Sequence, residues 1–284
     1  MKKIFYKMVI FIFILPTLIY PQENQEQKEI WQKQIIAGFI INQVSYSNWV
    51  KGGENAVSWS ANVDMRFEKD DTKANWSTAG KFAFGQTKQQ NLELRKSIDK
   101  IDISSDYIYK YKKDLNPFFG GSILTQFATG YDYKKTPKIA KSNFFDPVYI
   151  QQSAGAGFLF NSYLKTKIGV ALREIVSKSY AMWGYTDNPD TPNIEKYKIE
   201  KGITSITTFY KEIKENLLID SKLEMFSKLD GIRNVDIKFE NTITARVVKY
   251  IAVTFEMLLY YDSDISKIIQ TKQTLGMGLT FNLF

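Results

Sequence analysis

From residue 57 to residue 68 apolar and polar positions alternate without a break. Val57, Trp59, Ala61, Val63, Met65 and Phe67 are apolar, and Ser58, Ser60, Asn62, Asp64, Arg66 and Glu68 between them are polar. A side-chain period of two is a strand with one greasy and one wet face. Residues 234–247 do the same, with Val235, Ile237, Phe239, Ile243 and Ala245 against Asp236, Lys238, Glu240, Thr242, Thr244 and Arg246. The same pattern predicts strands at 74–86, 100–111, 164–176, 217–227 and 250–261. Weaker ones fall at 33–46, 117–127, 149–160 and 201–211, and a last one at 268–284. The total is twelve, an even number.

Length separates two architectures for such a set. Strands of soluble proteins run about 5–6 residues, whereas most of these run about ten to thirteen, the length of a tilted strand that crosses a bilayer. The fold class predicted is therefore all-β: a closed antiparallel transmembrane β-barrel of about twelve strands. The odd connections (48–55, 87–99, 128–148, 177–200, 228–233 and 262–267) are predicted to be the long outer loops. The even ones (69–73, 112–116, 161–163, 212–216 and 248–249) are predicted to be short inner turns. Phe67, Trp76, Tyr109, Tyr111, Tyr163, Tyr210 and Tyr250 all fall near a short turn, where aromatic rings form a girdle at a membrane boundary.

The chain start reads as targeting sequence. Lys2, Lys3 and Lys7 precede an apolar stretch at 8–20 that is shorter than a bilayer-spanning helix, the pattern of a secretory signal peptide. An uncleaved anchor is the alternative. The expected organisation is a signal peptide at 1–21, a polar Gln/Glu-rich leader at 22–32 and an outer-membrane barrel at 33–284. The formal charge is +8, and removal of 1–21 takes three lysines and no acid with it, leaving +5. That mild excess does not point to nucleic acid.

Composition removes most catalytic chemistry. With no Cys and no His among 284 residues there is no disulfide, thiolate metal site, cysteine nucleophile or His-based triad. No enzyme activity, cofactor or metal is expected; a barrel-wall lipase or protease would have to rest on a Ser-Lys pairing. Asp187-Asn188-Pro189-Asp190 could suggest calcium, but two carboxylates within four residues also read as a solvated acidic turn.

If the apolar faces meet lipid, the interior receives Asp64, Arg66, Glu68, Lys100, Asp102, Asp106, Lys165, Lys167, Arg173, Asp220, Lys222, Glu224, Asp236, Lys238, Glu240, Arg246 and Glu256. Both signs are mixed, unlike the one-signed ring of a strongly ion-selective channel. In the hairpin near Gly231, facing residue numbers that sum to 462 set Glu224 opposite Lys238 and Lys222 opposite Glu240, and put Leu223 beside Phe239 on the lipid face. A sum of 460 would oppose like charges. Such ladders either brace a barrel wall or contact a solute.

Asn42-Gln43 followed by Asn48-Trp49-Val50-Lys51-Gly52-Gly53-Glu54-Asn55 resembles the start of an uncharacterised family of Bacteroidetes-type outer-membrane proteins, a domain of unknown function. The segments Phe127-Ala128-Thr129-Gly130-Tyr131 and Leu275-Gly276-Met277-Gly278-Leu279 are similar to the same family. The resemblance implies an outer-membrane barrel and supplies no activity. Physically, Gly52-Gly53 permits positive φ in a tight turn, which Asn48 and Asn55 could cap. Contact of the segment Trp49 to Asn55, Glu54 included, with a ligand or partner is the other reading.

The last strand alternates Leu275, Met277, Leu279, Phe281 and Leu283 with Gly276, Gly278, Thr280 and Asn282, ahead of Phe284. It resembles the terminal-aromatic signal read by barrel-insertion machinery, with Phe284 one position out of phase. Three functions follow as expectations. The first is a small passive or substrate-specific pore for hydrophilic solutes. The second is a non-conducting structural or assembly partner of other outer-membrane proteins, and the third a barrel-wall enzyme, which the absence of His argues against.

Overall fold

The structure, a computed structural model, describes residues 31–47, 54–112, 115–231, 234–262 and 266–283. The predicted signal peptide and most of the predicted leader, together with Asn48, Trp49, Gly52, Gly53 and Phe284, lie outside the described residues. The strands are β1 (Trp31–Val44), β2 (Ala56–Asp70), β3 (Ala74–Gln89), β4 (Arg95–Tyr109), β5 (Asn116–Thr125), β6 (Gly130–Asp132), β7 (Ile139–Ser142), β8 (Val148–Leu159), β9 (Leu164–Val176), β10 (Tyr197–Ile213), β11 (Leu217–Lys228), β12 (Val235–Val248), β13 (Ile251–Asp262) and β14 (Ser266–Asn282). All but β6 and β7 pair antiparallel into one closed barrel, in the order β1-β14-β13-β12-β11-β10-β9-β8-β5-β4-β3-β2. Each of the twelve predicted strands is one staple of that barrel.

The period-two pattern sets which face looks out. Leu275 is 71% exposed, Val170 64% and Met277 61%, all on the outer surface, while the charged positions between such residues point inward. The apolar run at 57–67, at roughly 3.3 Å per residue and the roughly 40° tilt usual for such barrels, makes a band roughly 25 Å tall. Polar outer-face side chains within the band bond one another: Thr166 to Thr207 (3.0 Å), Ser221 to Asn241 (2.6 Å), and Ser105 to both Trp76 (3.1 Å) and Thr78 (2.9 Å). Paired this way, they present few open hydrogen-bonding groups to an apolar surrounding. The β11–β12 register is the one that charge alternation predicts, with Lys222 opposite Glu240, Leu223 opposite Phe239 and Glu224 opposite Lys238.

Three expectations need correction. The connection predicted at 87–99 shrinks to 90–94, because β3 runs on to Gln89 and β4 begins at Arg95 around a bulge at Gly85/Gln86. Strand β13 runs to Asp262 and β14 begins at Ser266, so the connection predicted at 262–267 is also short and long-short alternation holds for only part of the ring. The long connection after β5 contains a short hairpin, β6 paired with β7, that the alternation does not predict. Its base is pinned where Asp146 accepts from the Ser177 hydroxyl (2.7 Å) and the Lys178 and Ser179 amides (3.1 and 2.8 Å), which ties together the two longest loops.

Tyr210 is the third correction. It points into the lumen, where its hydroxyl bonds Gln34 and its ring lies 4.3 Å from the Arg66 guanidinium carbon. The remaining aromatics stay at the turn end, with edge contacts such as Trp31–Trp76 (5.7 Å) and Tyr163–Phe209 (5.6 Å).

Candidate functional site

The interior is crossed by side chains from opposite walls. Lys100 on β4 donates to Glu240 on β12 at 2.6 Å, and Lys81 on β3 reaches Asp220 on β11 at 2.7 Å. Arg66 on β2 covers Tyr210 on β10. In each case the two strands are six places apart in either direction around the ring, so each contact spans a full diameter. Together they form a septum from β2–β4 to β10–β12. Flanking pairs extend it: Glu240 also meets Lys238 (3.4 Å), Glu224 meets Lys222 (2.6 Å), and Lys100 meets Asp102 (3.2 Å).

The septum divides the lumen lengthwise into unequal halves. On the β5–β8–β9 side, long side chains fill the space. Lys165 bonds Glu68 and Asn75, Lys167 bonds Asp106, and Arg173 bonds Asp236 (2.8 Å) with its guanidinium carbon 3.9 Å from the centre of the Phe226 ring. A cavity of about 100 Å³ remains there.

On the β1–β14–β13 side several inward residues are small, among them Gly38, Gly278, Thr274, Thr254 and Ala252. They leave a cavity of about 440 Å³. Its lining runs from Gln34, Arg246 and Asn282 near the short turns to Asp99 and Leu124 near the loops, and it includes Asp64, Glu256 and Lys272. At the loop end, the Asp99 carboxylate holds Lys96 (2.7 Å) and the amides of Phe127 and Ala128 (2.6 and 2.9 Å), which fixes the long loop over that wall. A third cavity, lined by Gln32, Asp70, Lys110 and Asn161 among others, lies at the turn end.

The sequence-derived residues fall as follows. Asp102, Lys165, Lys167, Lys222 and Glu224 line the small half; Asp64, Lys100, Lys238, Arg246 and Glu256 line the large one; Arg66 and Glu240 touch both. Arg173 sits above the small half in its own ion-pair cluster. Lys81, Tyr210, Asp99 and Lys272 belong to the site and were not among the expected lining residues. Of the glycine-rich motif, Asn55 accepts the Tyr46 amide through Oδ1 (2.6 Å) and the Gln90 amide through its carbonyl (2.7 Å), a turn-capping role. The Asp187–Asp190 stretch closes on itself, with Asn188 accepting the Asp190 amide (3.1 Å) and Asp187 the Glu195 amide (3.2 Å). Among the described residues no group of three or more acidic side chains is arranged to hold a metal.

A family described as "Protein of unknown function (DUF3078)" matches residues 41–131. No curated protein matches the chain. Among solved structures, the chain is similar to the translocator domain of the autotransporter NalP from Neisseria meningitidis, at 8% identity over 89% of this chain and 88% of that one, with a TM-score of 0.37. It is also similar to an outer membrane channel from Pseudomonas putida F1, at 9% identity over 92% of this chain and 99% of that one, with a TM-score of 0.38.

Proposed function

We propose that this chain is an outer-membrane barrel that admits small hydrophilic solutes through one off-axis half of its lumen, the other half being braced shut. The observation that carries the reading is the 440 Å³ cavity, whose lining reaches from the turn end of the barrel to the loop anchor at Asp99. Outer-membrane lipid is the surrounding partner, since an apolar exterior around a charged interior inverts the soluble arrangement. The mixed signs of the lining suit a path of weak ionic preference.

The septum favours a second reading, a non-conducting structural barrel, because it fills the barrel axis with ion pairs. Single-channel recording on purified protein in planar bilayers separates the two. The pore reading expects small, resolvable steps, and larger ones when the septum is cut in a Lys100→Met/Glu240→Gln double variant. Absence of current from both proteins at every voltage would leave the structural reading standing.

A further inference from the structure

The barrel seam is only partly zipped. Strands β1 and β2 pair along all of Trp31–Val44, but β1 and β14 pair only from Ile36 opposite Asn282 to Ile40 opposite Gly278. Beyond that point β1 continues to Val44 and β14 continues back to Ser266, with no ladder between them among the described residues. The gap opens beside the larger lumen cavity, which is lined here by Ile40, Gly278, Thr274 and Lys272. Its outer rim is apolar and exposed, with Ile41, Leu275 and Met277.

Open strand edges at membrane depth are tolerated where they border a cavity rather than hydrocarbon. The unpaired edges stand between the larger lumen cavity and the apolar outer rim. The cavity wall near the gap is apolar on the β1 side, through Ile36 and Ile40, while the β13–β14 side sets Leu258 directly opposite Lys272, with Glu256 on the neighbouring rung. Lys272 supplies the cation: its Nζ donates to the Ser97 carbonyl at 3.3 Å and makes no ion pair among the described residues. An ammonium with no carboxylate inside ion-pairing distance among the described residues, although Glu256 lies on the neighbouring rung, next to an apolar groove, complements a single-chain amphiphile with an anionic head.

We propose that the β1–β14 gap is a lateral portal through which a single-chain carboxylate passes between the larger lumen cavity and the membrane, its head on Lys272 and its chain along Ile36, Ile40 and Leu258. This rests on the reading that the barrel is membrane-embedded with an accessible cavity.

The chain has no cysteine, so a disulfide can be placed at will. Continuing the β1–β14 register puts Ile41 opposite Met277, and an Ile41→Cys/Met277→Cys variant zips the gap when oxidised. The probe is dodecanoate carrying a photoreactive diazirine at its far end, mixed into liposomes that contain the full chain. Labelled positions are mapped by mass spectrometry.

The expected result is labelling of the lumen-facing segments 36–40 and 254–258 in the wild type and in the reduced double variant. Oxidation should cut it at least tenfold while label on the outward positions 279–283 persists. Lys272→Met should reduce lumen labelling several-fold. Lumen labelling absent from the wild type, or unchanged by oxidation, would overturn the portal. Ion conductance recorded on the same preparations reports on the pore reading separately, because labelling does not depend on current.

Discussion

Lys100 and Glu240 meet at 2.6 Å although 140 residues separate them in the chain and half the barrel circumference separates their strands. Their side chains are 25% and 16% exposed, so the contact is largely shielded from solvent, and each has a second partner of opposite charge, Asp102 and Lys238. A pair placed this way loses more when one member is removed than when both are, because the survivor keeps its desolvation without its main partner. Lys100→Met or Glu240→Gln alone should destabilise the barrel by about 1–3 kcal/mol, with remaining partners and partial exposure holding the loss below that of a fully buried pair. The double variant should be less destabilised than the sum. Denaturant unfolding of the four proteins in lipid, read as a double-mutant cycle, checks this.

Gly155 and Gly169 face one another across β8 and β9. A Cβ on Gly155 would stand 2.2 Å from the Ile168 carbonyl oxygen and 2.5 Å from the Gly169 Cα, both backbone atoms that cannot rotate away. Gly155→Ala should therefore push the strands apart at a cost of about 1–3 kcal/mol. Gly121→Ala, where the nearest atom would be 3.8 Å away, should stay within about 0.5 kcal/mol of wild type. Unfolding midpoints of the two variants measured side by side test the contrast.

The strands were legible because a crossing strand must show alternation over its whole length, and 57–68 and 234–247 do so with hardly an exception. Strand β10 shows why Tyr210 was misplaced. Its outward positions Ile203, Ser205, Thr207 and Phe209 and its inward positions Thr204, Ile206, Thr208 and Tyr210 are each a mixture of polar and apolar, so the pattern carries no phase. At the start of β4, Arg95, Lys96, Ser97 and Asp99 are polar on both faces and read as loop, which hid the Asp99 anchor. The hairpin register was readable from charge because its partners are close in sequence. The septum was not: which lysine meets which acid across a diameter depends on ring closure and stagger, and Lys81, between Gly80 and Phe82, gives no local sign of facing Asp220.

Glu195 offers a pH test outside the membrane. Its carboxylate accepts from the Thr191 hydroxyl (2.5 Å) and the Asn188 amide (3.0 Å). Those bonds, the hydroxyl first, hold its carboxyl below the ordinary 4.5. A depressed carboxyl favours the folded loop above the unfolded value and loses that advantage as pH falls through the folded one. Protection of the Asn188 amide from hydrogen exchange should be full above about pH 4.5 and decline below it. Glu195→Ala should abolish the pH-dependent part of that protection. An unchanged profile in the variant would show that the carboxylate does not organise the loop.

Val170 and Val247 make the most direct test of what surrounds the barrel. They are nearly equally exposed, at 64% and 63%, and differ mainly in height: Val170 is in the middle of β9, and Val247 is next to the short turn after β12. On a soluble surface, arginine at either position would change stability by no more than about 0.5 kcal/mol. In a bilayer the penalty depends on depth, at about 2–4 kcal/mol near the midplane and about 0–1 near an interface. Val170→Arg should therefore be destabilised well beyond Val247→Arg when both are unfolded from lipid vesicles, and the difference should collapse in a thin, water-permeable micelle. Equal and small effects in vesicles would mean that Val170 does not face hydrocarbon, and the membrane assignment would fall with it.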